Sequence, residues 1–238
     1  MTALTKEQFE RFRQQLALPG MSAAAQARLL AGHVVIVGIK SWGASVAKYL
    51  ADVGIGRLTI ADESSRNLAE LNMSMIEYLK KNPDLRMELK QWDFKPSEAE
   101  QLFGPADLIV DGLENWQHKL IASDFCMHMK KPLVHAGGSG FRFQVYTMIP
   151  GKSACLRCAF PEVGMDDVPL TDTDTTSLSP IASMIGALEA LEAIKVIGKV
   201  GASQGNEMWK FDWLSGEFET VRGLNPHYDC PDCGRYLK

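Results

Sequence analysis

Four of the five cysteines fall into two pairs of identical spacing, Cys155-Leu-Arg-Cys158 and Cys230-Pro-Asp-Cys233. Thiolates separated by two residues form the two knuckles of a tetrahedral zinc site, and four sulfur ligands leave no position for a reactive water. The pattern therefore predicts a structural zinc ion held by Cys155, Cys158, Cys230 and Cys233. The alternative is two separate redox pairs, but neither pair has the strand-to-helix context of a thioredoxin-like motif. Cys126 lies in an apolar helical stretch and is predicted to be a small buried hydrophobe.

A second group of residues points to phosphate chemistry. The β-branched run that begins at His33 ends at Gly38, and Asp62 closes the next predicted strand 24 residues later, near the distance typical of a ribose-binding acid. The glycine fingerprint is incomplete, because Gly38-Ile-Lys-Ser-Trp-Gly43 lacks the middle glycine that lets backbone N–H groups approach phosphate. We expect a side chain of Ser41-Trp42 to crowd the phosphate position, and Lys40 to supply positive charge in compensation.

The composition is that of an ordinary globular protein. The 238 residues are 46% hydrophobic, and 25 basic against 29 acidic residues give a net charge of −4. This balance does not favour binding to nucleic acid or to an anionic membrane. The first fifteen residues lack the apolar core of a signal peptide, and the longest segment without charges, 175–188, is too short to span a bilayer. The sequence thus predicts a soluble, cytoplasmic protein.

Alternating strands and helices surround these residues. Short apolar runs predict strands at 33–38, 58–61, 85–91, 107–111 and 132–136, and helical periodicity predicts helices at 6–18, 23–30, 42–53, 67–81, 116–130 and 180–197. The last helix is expected to bury one face that includes Met184, Leu191 and Ile194. Residues 141–149 alternate as in an antiparallel strand, 166–179 is typical of a mobile acidic loop, and 207–212 with 218–222 predicts a hairpin. The fold class is therefore α/β, a Rossmann-like, doubly wound, mostly parallel sheet with an antiparallel C-terminal extension and a four-cysteine zinc knuckle.

This order of elements predicts one domain over residues 1–238. It divides into an N-terminal helical arm (1–31), a nucleotide-binding α/β core (32–137) and a remainder (138–238) with antiparallel strands, a crossover loop, the long helix and the zinc-binding tail. His118, His128 and His135 have no carboxylate or serine partner at a recognisable spacing, so a hydrolase triad is not predicted.

Taken together, the motifs resemble those of the ThiF/MoeB/HesA adenylyltransferases, relatives of the ubiquitin-activating enzymes. They occur in the family's order over nearly the whole chain: Arg11-Phe12, Leu18-Pro19-Gly20, the strand ending at Gly38, the segment from Tyr49 to Asp62, Asn67-Leu68, Asn82-Pro83, Asp111-Gly-Leu-Glu-Asn115, Cys155-Leu-Arg-Cys-Ala-Phe-Pro-Glu162, the helical segment from Leu188 to Lys195, and the final Cys-Pro-Asp-Cys-Gly234. The two cysteine elements with their flanking residues are the most specific of these. The resemblance implies a Rossmann-like fold.

The resemblance also implies an activity. Members bind ATP and Mg²⁺, and the C-terminal glycine carboxylate of a ubiquitin-like or sulfur-carrier protein attacks the α-phosphate, which gives an acyl-adenylate and pyrophosphate. Catalytic positions would fall on Asp111 and on Glu114, the candidate Mg²⁺ ligand. Nucleotide contacts would fall on Gly38, Lys40, Gly43, Asp62, Asn67 and Asn115. Members form two-fold dimers, so we expect a homodimer or a heterodimer with a paralogue, in which Arg11 or Arg13 reaches the partner's pocket.

Several positions depart from the family's apparatus. Glu114 replaces the metal-holding aspartate, Glu70 stands at an arginine position, Gln14 stands where the partner's arginine is expected, and the phosphate-binding lysine has no evident counterpart. No cysteine lies between Pro161 and Pro180, where the family has its thioester or persulfide residue. Two hypotheses follow: an adenylyltransferase with a degenerate site and weak use of ATP and Mg²⁺, or an inactive scaffold that pairs with an active paralogue or binds a ubiquitin-like protein. The cysteine pairs disfavour a Rossmann dehydrogenase.

Overall fold

The core of the molecule is a sheet of eight strands built from the apolar runs of the sequence. A computed structural model describes residues 3–161, 163, 178–202 and 205–237. Its strands are β1 (His33–Val37), β2 (Arg57–Asp62), β3 (Arg86–Gln91), β4 (Leu108–Asp111), β5 (Leu133–Ser139), β6 (Arg142–Met148), β7 (Glu207–Asp212) and β8 (Glu217–Arg222). They lie in the order β3-β2-β1-β4-β5-β6-β7-β8. The strands β1 to β5 pair in parallel, and β6 to β8 continue the sheet antiparallel. The predicted α/β fold class is confirmed.

Helices cover both faces of the sheet. They are α1 (Lys6–Arg11), α2 (Arg13–Leu16), α3 (Ala23–Ala31), α4 (Gly43–Val53), α5 (Ser65–Lys81), α6 (Pro96–Phe103), α7 (Trp116–His128), α8 (Leu156–Ala159) and α9 (Ser179–Gly198), with a final 3-10 turn at Gly234–Leu237. Polar side chains set several helix starts: Ser22, Ser64 and Asn115 each accept a backbone N–H three residues ahead.

The strands alternate their side chains between two apolar layers. All five residues of β1 are buried, as expected for a parallel strand covered on both faces. Val34 and Ile36 join the layer under α3, α4, α5 and α9, whereas Val35 and Val37 join the layer under α6, α7 and α8. The sheet is therefore packed on both sides, and the loops at its edges are the places where polar groups can gather.

Several local predictions need correction. The predicted helix over 6–18 is two short helices that meet at Phe12, and residues 96–103, for which no element was predicted, form α6. Strand β5 runs to Ser139, past the predicted core boundary at residue 137. Of the predicted loop 166–179, residues 166–177 lie outside the described residues, and Ser179 already begins α9.

The long helix α9 does not have the single apolar face that the sequence predicts. Leu191 is half exposed, while Glu189 and Glu192 are buried. The reason is position: α9 packs against α3 and α4 and also against the sheet, so that residues on several sides of the helix are covered. Within the described part of the chain, no helix is long and apolar enough to cross a membrane.

Candidate functional site: the crevice between β1 and β4

The residues with nucleotide-binding character meet where the order of the parallel strands reverses. Strand β1 pairs with β2 on one side and with β4 on the other. The connections after β1 and β4 leave in opposite directions at such a point, which opens a crevice beyond the carboxyl ends of the strands. Gly38, Asp62 and Gly112 follow or end these strands, and all three line one pocket there.

The floor of this crevice is backbone alone. Gly38 has a φ of +81°, which favours glycine, and its carbonyl lies against two other glycines. A Cβ added at Gly43 would lie 2.0 Å from the Gly38 carbonyl oxygen, and one added at Gly112 would lie 2.1 Å from the same atom. Only glycine fits these positions, so the loops after β1 and β4 are held in direct contact.

Trp42 does not crowd the crevice, contrary to the expectation from the incomplete glycine fingerprint. Its ring is fully buried and its Nε1–H donates to the Asp111 carbonyl oxygen at 3.2 Å. The indole thus belongs to the core under α4. The Ser41 side chain makes a hydrogen bond, since its hydroxyl donates to Glu114 at 2.5 Å.

Asp62 is held rigidly at one wall. One of its carboxylate oxygens accepts the Ile39 N–H at 3.0 Å, and the other accepts the Ser64 N–H at 2.9 Å and the Asn67 side-chain amide at 3.2 Å. These bonds fix the carboxylate at the carboxyl end of β2. Because a carboxylate has about four acceptor positions, it keeps capacity for the hydroxyls of a sugar.

The opposite wall is an ion pair that the sequence did not predict. The Lys40 ammonium lies 3.0 Å from Glu114 Oε2, and Ser41 donates to Oε1. Both oxygens of the proposed Mg²⁺ ligand are therefore engaged by this chain. Asn115 acts at the same place as the cap of α7, because its side-chain oxygen accepts the His118 N–H at 3.2 Å. With a lysine in hydrogen-bond contact with its carboxylate, this donor set does not fit a divalent cation.

Asp111 lies beneath the crevice and is closed off from it. Its side chain is fully buried, 3.2 Å from the Lys119 ammonium and 2.6 Å from His135 Nδ1, and it accepts the Leu113 N–H at 3.0 Å. Burial by itself raises the pKa of Asp111, but Lys119 and His135 outweigh it and hold the pKa below its usual value. A predicted catalytic residue is thus part of a buried charge cluster that anchors the loop carrying Glu114.

His135 has a carboxylate partner that its sequence spacing did not reveal. Burial lowers the pKa of His135, so the neutral ring donates its Nδ1–H to Asp111. Within the described ranges its Nε2 has no hydrogen-bond partner, and the ring lies near those of Trp116 and Phe160.

An aromatic wall of the crevice was also missed. Phe94 and His118 stack with ring centroids 3.9 Å apart and planes within 12°. Phe94 has a φ of 59°, uncommon for a residue other than glycine, and both rings line the pocket. Burial lowers the pKa of His118, so its ring is neutral. The signal in the sequence was the pair of aromatic residues at Trp92 and Phe94 directly after β3.

The four paired cysteines meet at one point in the apolar layer under α6, α7 and α8. Their Sγ atoms all lie within 4.8 Å of one another, with Cys155 3.6 Å from Cys230 and Cys158 3.5 Å from Cys233. A tetrahedron with zinc–sulfur bonds of about 2.3 Å requires sulfur separations near 3.8 Å. The group therefore fits a tetrahedral metal ion, and it could hold one. Arg157 ties this corner to α7 through a two-point contact with Asp124, at 3.0 and 2.6 Å.

Comparison with known proteins decides the family. Residues 12–77 and 73–232 match the ThiF family. The chain belongs to the ThiF family. It is 29% identical over 251 residues to the heterocyst HesA protein of Trichormus variabilis, an alignment that covers 98% of this chain and 92% of HesA. It is 27% identical to the SAMP-activating enzyme E1 of Haloferax volcanii, with 98% and 91% covered.

Two further similarities are less complete. The adenylyltransferase and sulfurtransferase MOCS3 of Bos taurus is 28% identical over 98% of this chain, but the chain spans only 54% of MOCS3. The crystal structure of E. coli MccB with MccA-N7isoASN superposes with a TM-score of 0.79 at 19% identity, over 95% of this chain and 74% of that one. At this identity the structural likeness supports the fold.

Two other charged residues singled out in the sequence of this ThiF-family chain form ion pairs with nearby residues of the same chain. Arg11, expected to reach a partner's pocket, binds Asp84 of its own chain at 2.6 Å and Asn82 at 3.3 Å. Arg13 is exposed. Glu70 pairs with Arg66 at 2.9 Å on the exposed side of α5, so the charge of Arg66 is balanced within its own helix.

Proposed function

We propose that this ThiF-family chain binds ATP in the crevice between β1 and β4 and activates the C-terminal carboxylate of a ubiquitin-like or sulfur-carrier protein. A carboxylate oxygen of the partner attacks the α-phosphorus, the bond to the β-phosphate oxygen breaks, and pyrophosphate leaves with an acyl-adenylate as the other product. The observation that carries this proposal is the glycine floor with Asp62 fixed beside it at the switch point of the sheet.

The activities after which the relatives are named support the substrate class. One relative is an adenylyltransferase, another activates SAMP proteins, and MccB is known in complex with MccA. In this chain the ribose would bind Asp62, the base would lie near Phe94 and His118, and the phosphates would lie over the backbone of Gly38 and Lys40. No protein nucleophile is required, because the partner's carboxylate supplies the attacking atom.

The reaction is proposed to be slow. Transition-state stabilisation depends on cations placed where charge develops on the departing pyrophosphate. Here Lys40 is paired with Glu114, and Arg66 is paired with Glu70. A charge already balanced by a neighbour stabilises a second anion less, so both affinity and rate are expected to be low.

Zinc at the four-cysteine cluster is proposed as a structural ion. Burial raises the pKa of Cys155, and raises that of Cys158 to about 12, so these two thiols would be protonated without a cation. Burial also raises the pKa of Cys230, but hydrogen bonds from backbone N–H groups outweigh it and lower that pKa. A bound metal ion takes thiolates as ligands. It would then join the segment around α8 to the last turn of the chain.

An inactive subunit is the second candidate. It is favoured by the engaged carboxylate of Glu114 and by the absence of a cysteine in the sequence between Pro161 and Pro180. Such a chain would form a homodimer, or a heterodimer with an active paralogue, and contribute binding surface for the carrier protein. The two candidates differ in whether pyrophosphate exchange occurs.

The test is ATP–pyrophosphate exchange with carrier proteins that end in Gly-Gly, together with calorimetric titration of ATP. We expect slow exchange that depends on the carrier, and weaker ATP binding in Asp62→Asn. The matched control is Asp107→Asn, at the opposite end of the sheet, where the carboxylate accepts the His33 N–H. Measurable binding of carrier without nucleotide binding or exchange would favour the inactive subunit and reject the proposed activity.

A further inference from the structure

The ion pair between Lys40 and Glu114 spans the crevice at the place where phosphates would enter. Lys40 belongs to the loop after β1, and Glu114 belongs to the loop after β4. Their 3.0 Å contact, with Ser41 on the second oxygen, joins the two loops above the glycine floor. The pair thus occupies the position that a divalent cation and its carboxylate would need.

Apart from Glu63, which is exposed at the rim of the pocket, the described carboxylates near the crevice do not provide another cation site. Mg²⁺ requires near-octahedral oxygen coordination and is usually held by one or two carboxylates together with substrate phosphates. Among the described residues, Asp111 is sealed beneath the floor, and Asp62 already accepts three N–H groups. The acceptor capacity that Asp62 keeps is about one position, which the proposed function assigns to the ribose. A cation placed at Glu114 would lie next to the Lys40 ammonium and be repelled by it.

Lys40 is suited to meet the phosphates itself. Its side chain is 61% exposed on the crevice side, whereas that of Glu114 is only 21% exposed. Lysine is a flexible point charge that commonly binds phosphate oxygens. An entering polyphosphate would compete with Glu114 for the same ammonium.

We propose that Lys40 takes the place of the divalent cation, so that this chain binds free ATP rather than Mg²⁺–ATP. The inference rests on the proposed function and names the ionic form of its nucleotide. It also predicts whether removal of the Glu114 carboxylate strengthens or weakens nucleotide binding. If Glu114 held a metal, its loss would weaken nucleotide binding; if Glu114 only competes for Lys40, its loss strengthens binding.

The experiment is titration of the full chain with ATP in the presence of EDTA and again with excess Mg²⁺. The wild-type chain is expected to bind at least as tightly in EDTA. In EDTA, Glu114→Gln is expected to tighten binding by about threefold or more, and Lys40→Met to weaken it by roughly tenfold, the loss of one charge-assisted contact. Lys210→Met and Glu219→Gln, on the distant strands β7 and β8, are the charge-matched controls, and thermal unfolding verifies that every variant is folded.

The outcomes separate the two proposals. Binding that requires Mg²⁺ and is weakened in Glu114→Gln overturns this inference and leaves the adenylyltransferase proposal standing. Binding in EDTA that is unchanged in Lys40→Met also overturns it. Failure to bind ATP in either condition, without pyrophosphate exchange, overturns both.

Discussion

Removing the carboxylate of Asp111 tests the buried charge cluster under the crevice. Asp111 and Lys119 are essentially inaccessible, and the ammonium has the Ala136 carbonyl oxygen at 2.8 Å as its other acceptor. Asp111→Asn preserves shape but leaves a buried ammonium without a counter-ion. Breaking a buried ion pair in this way costs about 3–5 kcal/mol. Since native domains are stable by about 5–15 kcal/mol, the variant is expected to lose about a fifth or more of its free energy of unfolding.

The assay is guanidinium unfolding followed by tryptophan fluorescence and circular dichroism. The double variant Asp111→Asn/Lys119→Met removes both charges, so we expect it to cost clearly less than the sum of the two single variants. The control is Asp212→Asn, which breaks the surface pair with Arg142 and should cost far less than Asp111→Asn, because a solvent-exposed ion pair contributes little to stability.

Two results would refute this reasoning. One is a loss below about 1 kcal/mol for Asp111→Asn, which would mean that water or structural relaxation reaches the ammonium. The other is strict additivity in the double variant, which would mean that the two charges do not interact. Either result would also remove the argument that Asp111 is a structural residue.

Three further outcomes are expected. Cys230→Ser should lower bound zinc from about one equivalent per chain, measured by metal analysis, whereas Cys126→Ala should retain it; equal zinc in both variants would contradict the site. Burial lowers the pKa of His33, so as the pH falls this histidine is protonated in the unfolded chain before it is protonated in the folded chain. Below about pH 6.5 the free energy of unfolding of the wild type should therefore fall, relative to that of His33→Gln, by up to about 1.4 kcal/mol per pH unit. Curves of stability against pH that run parallel for the two proteins would refute this. Gly112→Ala should lower the free energy of unfolding, measured by chemical denaturation, by roughly 1–3 kcal/mol or more for forced overpacking. Gly205→Ala should not, because a Cβ added there would make only an ordinary contact, 3.9 Å from Ile149 Cδ1.

The sheet could be predicted because its strands carry their own signal. The run from Val34 to Val37 is apolar without alternation, and the structure covers it on both faces. The alternation over 141–149 likewise predicted an antiparallel strand, which is β6. The helix α6 was missed, although Pro96 at its first position is a recognised start signal.

The site was predicted less well because its polar residues have partners that are distant in sequence. The motif from Asp111 to Asn115 indicates a loop with two carboxylates, but nothing in its spacing shows that Lys119 and His135 close around the first. The pairing of Lys40 with Glu114 joins residues 74 positions apart through the contact of two glycine loops. The prediction for Trp42 was wrong for a related reason. Its place in the glycine motif suggested a side chain in the crevice, but the indole is buried in the core under α4.

The position of the four-cysteine cluster has a consequence for the unfolded chain. The cluster belongs to the apolar layer under α7 and α8, whereas α9, which lies between the two cysteine pairs in sequence, packs in the layer on the opposite face of the sheet. A metal ion bound there would close a ring of chain that includes α9 on one face of the sheet and the cysteine cluster on the other. Closing a loop of this length lowers the entropy of the unfolded ensemble by an amount worth about 4–5 kcal/mol in a cross-link model. If the metal stayed bound, α9 could detach from the sheet only as part of that closed loop. Refolding of the metal-bound chain would then begin with the two cysteine pairs already held together.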